Sequence, residues 1–564
     1  MADDVKGTQK SRVQVPAEVA AERRKIVDYE KNLEKLGAFE IAFQMLKLAK
    51  NNEKQNIFLN AGRGNPNWIQ TISRLAFGRI VEFGVHESEQ TMHQRDLAGY
   101  TRLMGIGIRF RHFLSPEENE ADHFLLDALN YCEERFGFNS DSFVKELVDG
   151  AIGNNYPVPS RVLTHTETIL NAYLASTLYH HVDGTKLALK TQLFPTEGGT
   201  AAITYIFNSL KENKLIHKGD RVIINTPIFT PYLSIPQLND YDLQRIDLSS
   251  REEDHWQLAP EAISKLNDSN VKLLMLVNPS NPGAMALSSR DLDAIKEAVA
   301  KNPDLMIVTD DVYGTFAEQF ESVYAVVPSN TLLVYSYSKL FGATGWRIGL
   351  IAAHKDNVFD RLIAKLPSNE KEELSKRYGR IALHPENMKF IDRMVADSRS
   401  VGLYHTAGLS TPQQIMEVLF SLAHLLNESS DGADLDHYIA EAKSIVNTRY
   451  QLLNKGLGIS SFNSPHNTKY YSLIDIYDLA TQYYGTEFAN WLRDNFTQLD
   501  FLYKLSKRYG AVLMNGVGFG SKPGILRVSE ANLPDEAYSM IASDIRSLME
   551  NYHTRWMKEE RHEA

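Results

Sequence analysis

The order of apolar and polar positions divides the chain into a middle that alternates and two ends that do not. In the middle, short apolar runs separated by helical ones read as strands at Arg221 to Asn225, Lys272 to Val277, Leu305 to Thr309, Thr331 to Tyr335 and Trp346 to Ala352. Such runs suit strands buried on both faces, as in a mainly parallel sheet covered by helices. Between Glu30 and Lys50, Leu33, Leu36, Phe39, Phe43, Leu46 and Leu48 recur near helical spacing, which predicts an amphipathic helix packing on something larger. Leu435 to Leu453 is again helical, and Tyr470 to Ile476, Ala511 to Met514 and Ile525 to Val528 read as strands.

The pattern predicts an α/β fold: a mostly parallel sheet flanked by helices in a large domain over residues 61–432. A smaller α+β domain would combine residues 1–60 with 433–564. Two stretches look inserted, Phe83 to Leu147, mostly helical, and Lys365 to Ser400, rich in charge. They suit oligomer contacts or lids.

Composition narrows the class. At 564 residues the chain exceeds one small core. A formal net charge of -11 argues against non-specific binding to nucleic acid or anionic membranes, and it requires any phosphate site to be locally basic. The single cysteine, Cys132, excludes an internal disulfide framework and fits a reducing cytosol. No run of about 18 apolar residues predicts a spanning helix. The polar start, Met1 to Arg24, is unlike a secretory signal, so a cytoplasmic enzyme without a metal is expected.

The candidate chemistry centres on Ser336-Tyr337-Ser338-Lys339, which follows the run Thr331 to Tyr335, with Arg347 eight residues beyond the lysine. This spacing suits a lysine amine held as an imine while Ser336, Ser338 and Arg347 hold a dianionic phosphate, and it implies pyridoxal 5'-phosphate (PLP). Thr196-Glu197-Gly198-Gly199-Thr200 precedes a helical run, Ala201 to Leu210. Glycines admit backbone amides to an anion and the helix start adds unpaired N–H groups, so Gly198, Gly199 and Thr200 read as phosphate binders. Asp310 follows a strand. It could keep a pyridine nitrogen protonated, with Tyr313 donating to the phenolic oxygen, or it could equally cap a helix. Arg527, in a strand near the chain end, suits bidentate capture of an α-carboxylate. Gly62-Arg63-Gly64 lies in a Gly/Asn/Pro loop suited to close approach by a ligand. Arg63 there is a cation that could meet a carboxylate or sit on the surface.

The lysine segment, Asp310 with Tyr313, and the turn Asn278-Pro279-Ser280-Asn281-Pro282 resemble the aspartate aminotransferase superfamily of fold-type I PLP enzymes. The resemblance implies Asn281 as a second donor to the phenolic oxygen and Phe229 as the aromatic stacked on the ring. It also implies that Tyr156 reaches the phosphate of a neighbouring subunit, so that the active unit is a homodimer. Leu59 to Ile69 and Val395 to Gln414 are more specifically similar to the aspartate 4-decarboxylases, bifunctional with aspartate aminotransferase, whose dimers assemble into dodecamers. Aspartate aminotransferases present a distal arginine four residues before a Ser-x-Pro turn. Here the turn is Ser410-Thr411-Pro412 and the position holds Thr406. A hydroxyl there would leave the β-carboxylate of L-aspartate free to depart as CO2, whereas an ion pair would stabilise it. One departure is Ala42 after Phe39-Glu40-Ile41, where the decarboxylases carry a lysine. The alternatives are an aminotransferase of an acidic amino acid with a 2-oxo acid, and a non-catalytic regulator. A regulator would carry a DNA-binding module, yet the residues before Asn60 show neither a basic patch nor a helix-turn-helix pattern.

Overall fold

The computed structural model describes residues 33, 36–54, 57–92, 97–154, 161–180, 182–399, 408–430 and 436–563. Tyr156 and Thr406 lie outside the described residues. The strands, in chain order, are β1 (Leu59–Asn60), β2 (Thr191–Thr196), β3 (Arg221–Thr226), β4 (Gln244–Ser249), β5 (Val271–Val277), β6 (Met306–Asp310), β7 (Thr331–Ser336), β8 (Gly349–His354), β9 (Tyr471–Asp475), β10 (Ala511–Val512), β11 (Met514–Asn515) and β12 (Ile525–Ser529).

β2 to β8 form one seven-stranded sheet in the order β2-β8-β7-β6-β5-β3-β4. β7, β6, β5, β3 and β4 are parallel, and β8 runs antiparallel to both of its neighbours. The carboxyl ends of β2, β3, β5, β6 and β7 therefore share an edge with the amino end of β8. Open α/β sheets bind ligands at such an edge. The central strands read as apolar runs because both faces are covered: Leu274, Met306, Ile307, Leu332 and Leu333 are fully buried. Each such side chain stabilises the fold by roughly 1.5–3 kcal/mol, which pins the register.

Sequence and structure part company at four elements. β2 and β4 were not expected as strands. Both are sheet edges, where Pro195 is tolerated and where Gln244–Ser249 leaves several side chains in solvent, so neither reads as an apolar run. The strand expected from Trp346 starts only at Gly349, because Thr344–Trp346 forms a 3-10 turn and Arg347 adopts a left-handed backbone at φ 53. The helix Ala38–Lys50 buries Ala38, Ile41, Ala42, Met45 and Ala49, while Leu36, Phe39 and Phe43 stay 40%, 43% and 55% exposed. Of the residues expected to pack, Leu33 is buried and Leu46 and Leu48 pack against the same core, while Leu36, Phe39 and Phe43 face outward.

That helix joins a second core, in which Leu33, Ile41, Met45 and Leu59 pack with Ile474, Leu502, Val512, Leu526 and Ile541 from the other end of the chain. β1 pairs with β10, and β9, β12 and β11 form an antiparallel sheet. A third core unites the helices Ile72–Glu89, Ile106–Phe113, Glu120–Phe136 and Ser140–Ile152 with Thr411–Ser430. The charged stretch folds as Ser368–Tyr378 and Phe390–Arg399, tied to the helix Gly199–Glu212 by Asp397, which accepts from Ser209 at 2.7 Å and pairs with Arg377 at 2.9 Å.

Candidate active site

Three residues beyond β7, Lys339 ends in a cleft of about 780 Å³, part of it open to solvent. Its amine donates to the carbonyl of Gly64 at 3.0 Å. Burial, then the Arg527 guanidinium, push the ammonium down to about 8, with Asp310 opposing and Arg347 adding to the fall. An amine so placed is neutral in an appreciable fraction of molecules near pH 7, as a nucleophile or base must be.

One end of the cleft is made of donors. Gly198, at φ 86 and ψ 172, occupies backbone space open almost only to glycine, and a Cβ on it would stand 2.7 Å from Arg347 Nη2. It thereby lets Arg347 approach the start of the helix Gly199–Glu212, whose first amides lie at the cleft with Thr200. Arg347 is held by the Thr344 carbonyl at 2.8 Å. Ser336 and Ser338 stand with their hydroxyls 2.9 Å apart at the end of β7. Helix N–H groups, two hydroxyls and a guanidinium converge as an anion site does.

The middle holds a buried acid. Asp310, the last residue of β6, is pushed up to about 6 by burial, countered by the Val312 amide, the Tyr232 hydroxyl and nearby Lys339. It caps no helix, since the short turn Gly314–Phe316 begins beyond Tyr313. Asn281 Nδ2 donates to the Tyr313 hydroxyl at 3.4 Å. Phe229 lines the cleft and meets Phe39 edge-on at 6.2 Å.

The far end is assembled from distant parts of the chain. Arg527, only 2% exposed, donates from Nη1 to Asn281 Oδ1 at 2.9 Å and from Nη2 to the Gly62 carbonyl at 2.8 Å. Its guanidinium lies over Tyr471 at 4.3 Å and Phe519 at 4.7 Å, and its Nε has no partner among the described residues. Gly64 lines the cleft, but Arg63 is exposed and stands outside the lining. Phe39, Thr344 and Tyr471 also line it and were not expected there. Thr344 sits inside the lysine-to-arginine segment, Phe39 was expected as a packing residue, and Tyr471 carries no local signal. Gly516–Phe519 forms a 3-10 turn that leads toward β12 and Arg527.

This sheet topology and a half-buried lysine beside an anion site define the class. Residues 164–545 match the aminotransferase class I and II family, and the chain belongs to that PLP-dependent family. More particularly, it is 41% identical over 533 residues, 94% of this chain and 98% of the relative, to the bifunctional aspartate aminotransferase and L-aspartate beta-decarboxylase of Pseudomonas sp. It is 32% identical over 142 residues, 24% of this chain and 28% of the relative, to an aspartate aminotransferase of Pinus pinaster. Among solved structures, a Thermus thermophilus aspartate aminotransferase double mutant shares the fold, with a TM-score of 0.57 at 15% identity, covering 92% of this chain and 98% of that one.

Proposed function

We propose that this chain is a PLP-dependent enzyme that removes the β-carboxylate of L-aspartate as CO2 to give L-alanine, with aspartate aminotransfer as a side activity. The observation that carries the reading is the 41% identity to the bifunctional relative along nearly the whole of both chains. The cleft supports it. PLP fits, because the buried Asp310 carboxyl faces a pocket with donors for a phosphate at one end and a lysine amine within reach.

Bound PLP supplies an electron sink conjugated to the substrate α-carbon. Around it, Gly198, Gly199, Thr200, Ser336, Ser338 and Arg347 hold the phosphate. Asp310 would hold a proton at the ring nitrogen, Phe229 would lie along the ring, and Asn281 and Tyr313 would hold the phenolic oxygen. Lys339, as a neutral amine, takes and returns the proton at the α-carbon. Arg527 fixes the α-carboxylate by parallel hydrogen bonds, so that the bond to hydrogen and not to this carboxylate is aligned for cleavage. Gly64 leaves room beside the lysine, while Arg63, exposed and outside the lining, would reach a substrate carboxylate only by turning inward. The bond from the β-carbon to its carboxylate then breaks, CO2 leaves, and the β-carbon takes a proton from solvent, so that aspartate and one proton give alanine and CO2.

Thr406 is proposed to face that carboxylate. Thr406→Arg should lower the ratio of alanine to oxaloacetate formed from aspartate by roughly 10- to 100-fold, the worth of a charge-assisted contact. Tyr156 is proposed to complete the phosphate site of a neighbouring copy in a homodimer that builds a larger homo-oligomer, a dodecamer by analogy. The outward apolar face of Leu36, Phe39 and Phe43 beside the cleft supports a partner there. No described helix is long and apolar enough to cross a membrane. The acidic net charge of -11 supports an enzyme that does not bind nucleic acid or anionic membranes non-specifically, and a cytoplasmic location is proposed with it.

The test incubates pure protein with PLP, L-aspartate and trace pyruvate, with malate dehydrogenase and NADH present to trap oxaloacetate. Equal yields of CO2 and alanine are expected. Malate without matching CO2 would leave the chain an aminotransferase of an acidic amino acid.

A further inference from the structure

The contact between Tyr313 and Tyr471 joins the middle of the cleft to its far end through two hydroxyls. Their oxygens are 2.7 Å apart, across 158 residues of sequence, and both side chains line the cleft with Lys339. Tyr313 follows β6 of the large sheet. Tyr471 opens β9 of the C-terminal sheet. Asn281 Nδ2, which can only donate, also lies 3.4 Å from the Tyr313 oxygen.

We propose that Tyr471 is a positioning residue of this site: its hydroxyl donates to Tyr313 and so turns the Tyr313 proton into the cleft, toward the phenolic oxygen of the bound cofactor. The inference rests on the PLP reading above. A phenol has one proton and two lone pairs. With Asn281 and Tyr471 both donating, the lone pairs of Tyr313 are used and its proton is left for the cleft.

Tyr471 is well fixed for that task. The Arg527 guanidinium covers one face of its ring at 4.3 Å, and the Tyr313 ring meets it edge-on at 5.5 Å. Gly64 makes the space: a Cβ there would overlap the Tyr471 hydroxyl and stand 3.2 Å from Lys339 Nζ. Burial pushes both phenols up, so both remain protonated donors at working pH. The same side chain thus touches the arginine assigned to the substrate and the tyrosine assigned to the cofactor. Accepting a hydrogen bond strengthens Tyr313 as a donor, and a stronger donor stabilises negative charge on the phenolic oxygen. Neighbouring Tyr470 is the natural contrast, since its hydroxyl donates to the Gly64 carbonyl at 2.9 Å.

The experiment titrates the visible absorbance of bound PLP against pH. Tyr471→Phe should raise the midpoint by roughly 0.5 to 1 pH unit, the scale of one hydrogen bond. Tyr470→Phe should leave it in place. In a Tyr313→Phe background, Tyr471→Phe should add nothing, because the residue acts through Tyr313. An unchanged midpoint in Tyr471→Phe, or an equal further shift in the Tyr313→Phe background, would overturn the inference. Should the phenylalanine variant not fold, 3,5-difluorotyrosine at position 471 keeps the shape and donates more strongly, so the midpoint should fall. No change would count against the role. A wild-type chain whose PLP absorbance is not linked to Lys339 overturns the function reading instead, and the inference with it.

Discussion

The two ends of the cleft are built in opposite ways. The anion end comes from short stretches at the edge of one sheet: Gly198 to Thr200 after β2, then Ser336 to Arg347 between β7 and β8. The substrate end depends on bonds that span the chain. Arg527 reaches the Gly62 carbonyl across 465 residues, Lys339 reaches Gly64 across 275, and Tyr471 reaches Tyr313 across 158. A rigid sheet presets the first end, while the second exists only when the C-terminal strands and the Gly62 to Gly64 loop sit correctly on that sheet. Cofactor retention and substrate recognition should therefore be largely separable by mutation, with Lys339, Asn281 and Tyr471 standing between the two ends.

Lys339→Gln should give the largest effect, because it removes the proton carrier of the proposed reaction. A loss in kcat of roughly 10²- to 10⁴-fold is the range for a positioned acid-base group. Borohydride reduction and peptide mapping of the wild type should place the pyridoxyl label on Lys339, and label on another lysine would refute the assignment. Next in size is a pH effect. Burial and the nearby guanidiniums hold the amine at about 8 against an ordinary 10.5. PLP capture needs the neutral amine, so its rate in apoprotein should rise about tenfold per pH unit from pH 6 to about 8 and then level off. The sign of the stability effect follows. The unfolded chain holds this proton more tightly, so between pH 8 and 10.5 Lys339 contributes added stability to the apoprotein as pH rises. Capture that is flat from pH 6 to 8 would mean an amine already neutral at the bottom of the cleft.

The same contrast explains what could be read from sequence. Lys339, Ser336 and Arg347 were legible because their spacing is local, and Asp310 because it follows an apolar run that became a central strand, whereas Asn281, four residues beyond β5, was marked by the resemblance of its Asn-Pro turn. Tyr471 was not legible, since nothing near it marks a site that exists only after folding, and Phe39, though it opens the stretch compared with the decarboxylases, was read as a packing residue and not as a wall of the cleft. The buried face of Ala38–Lys50 was read only in part for a related reason: Ala38, Ala42 and Ala49 pack it closely beside Ile41 and Met45, while Phe39 and Phe43 turn outward. β2 and β4 escaped because edge strands need no continuous apolar run. Arg347 was placed in a strand although its left-handed backbone aims the guanidinium back at Gly198.

Arg527→Lys tests the substrate end. A lysine keeps the charge but cannot reproduce two parallel bonds, nor the contacts to Asn281 and Gly62 that orient the guanidinium. The KM for aspartate should rise by roughly 10- to 100-fold, as for the loss of a charge-assisted bond, while PLP affinity stays near wild type. Equal losses in both would show that the C-terminal strands also hold the cofactor.

The smallest and sharpest test pairs two glycines. In Gly198→Ala the new Cβ would stand 2.7 Å from Arg347 Nη2 on a backbone at φ 86, so strain falls on the anion end. PLP should bind roughly tenfold more weakly, the scale of about 1 to 3 kcal/mol of backbone strain, with KM for aspartate little changed once PLP saturates. In Gly64→Ala the Cβ would overlap the Tyr471 hydroxyl and crowd Lys339 Nζ at 3.2 Å. The far end of a side chain yields more readily than backbone, so kcat/KM for aspartate should fall by no more than roughly tenfold, the lower part of the overpacking range. PLP affinity should hold. Opposite selectivity in the two variants would confirm a cleft with one preset and one assembled end. If each glycine disturbs PLP and aspartate alike, the ends are mechanically one, and the sheet edge cannot be treated as a cofactor platform independent of the strands that close over it.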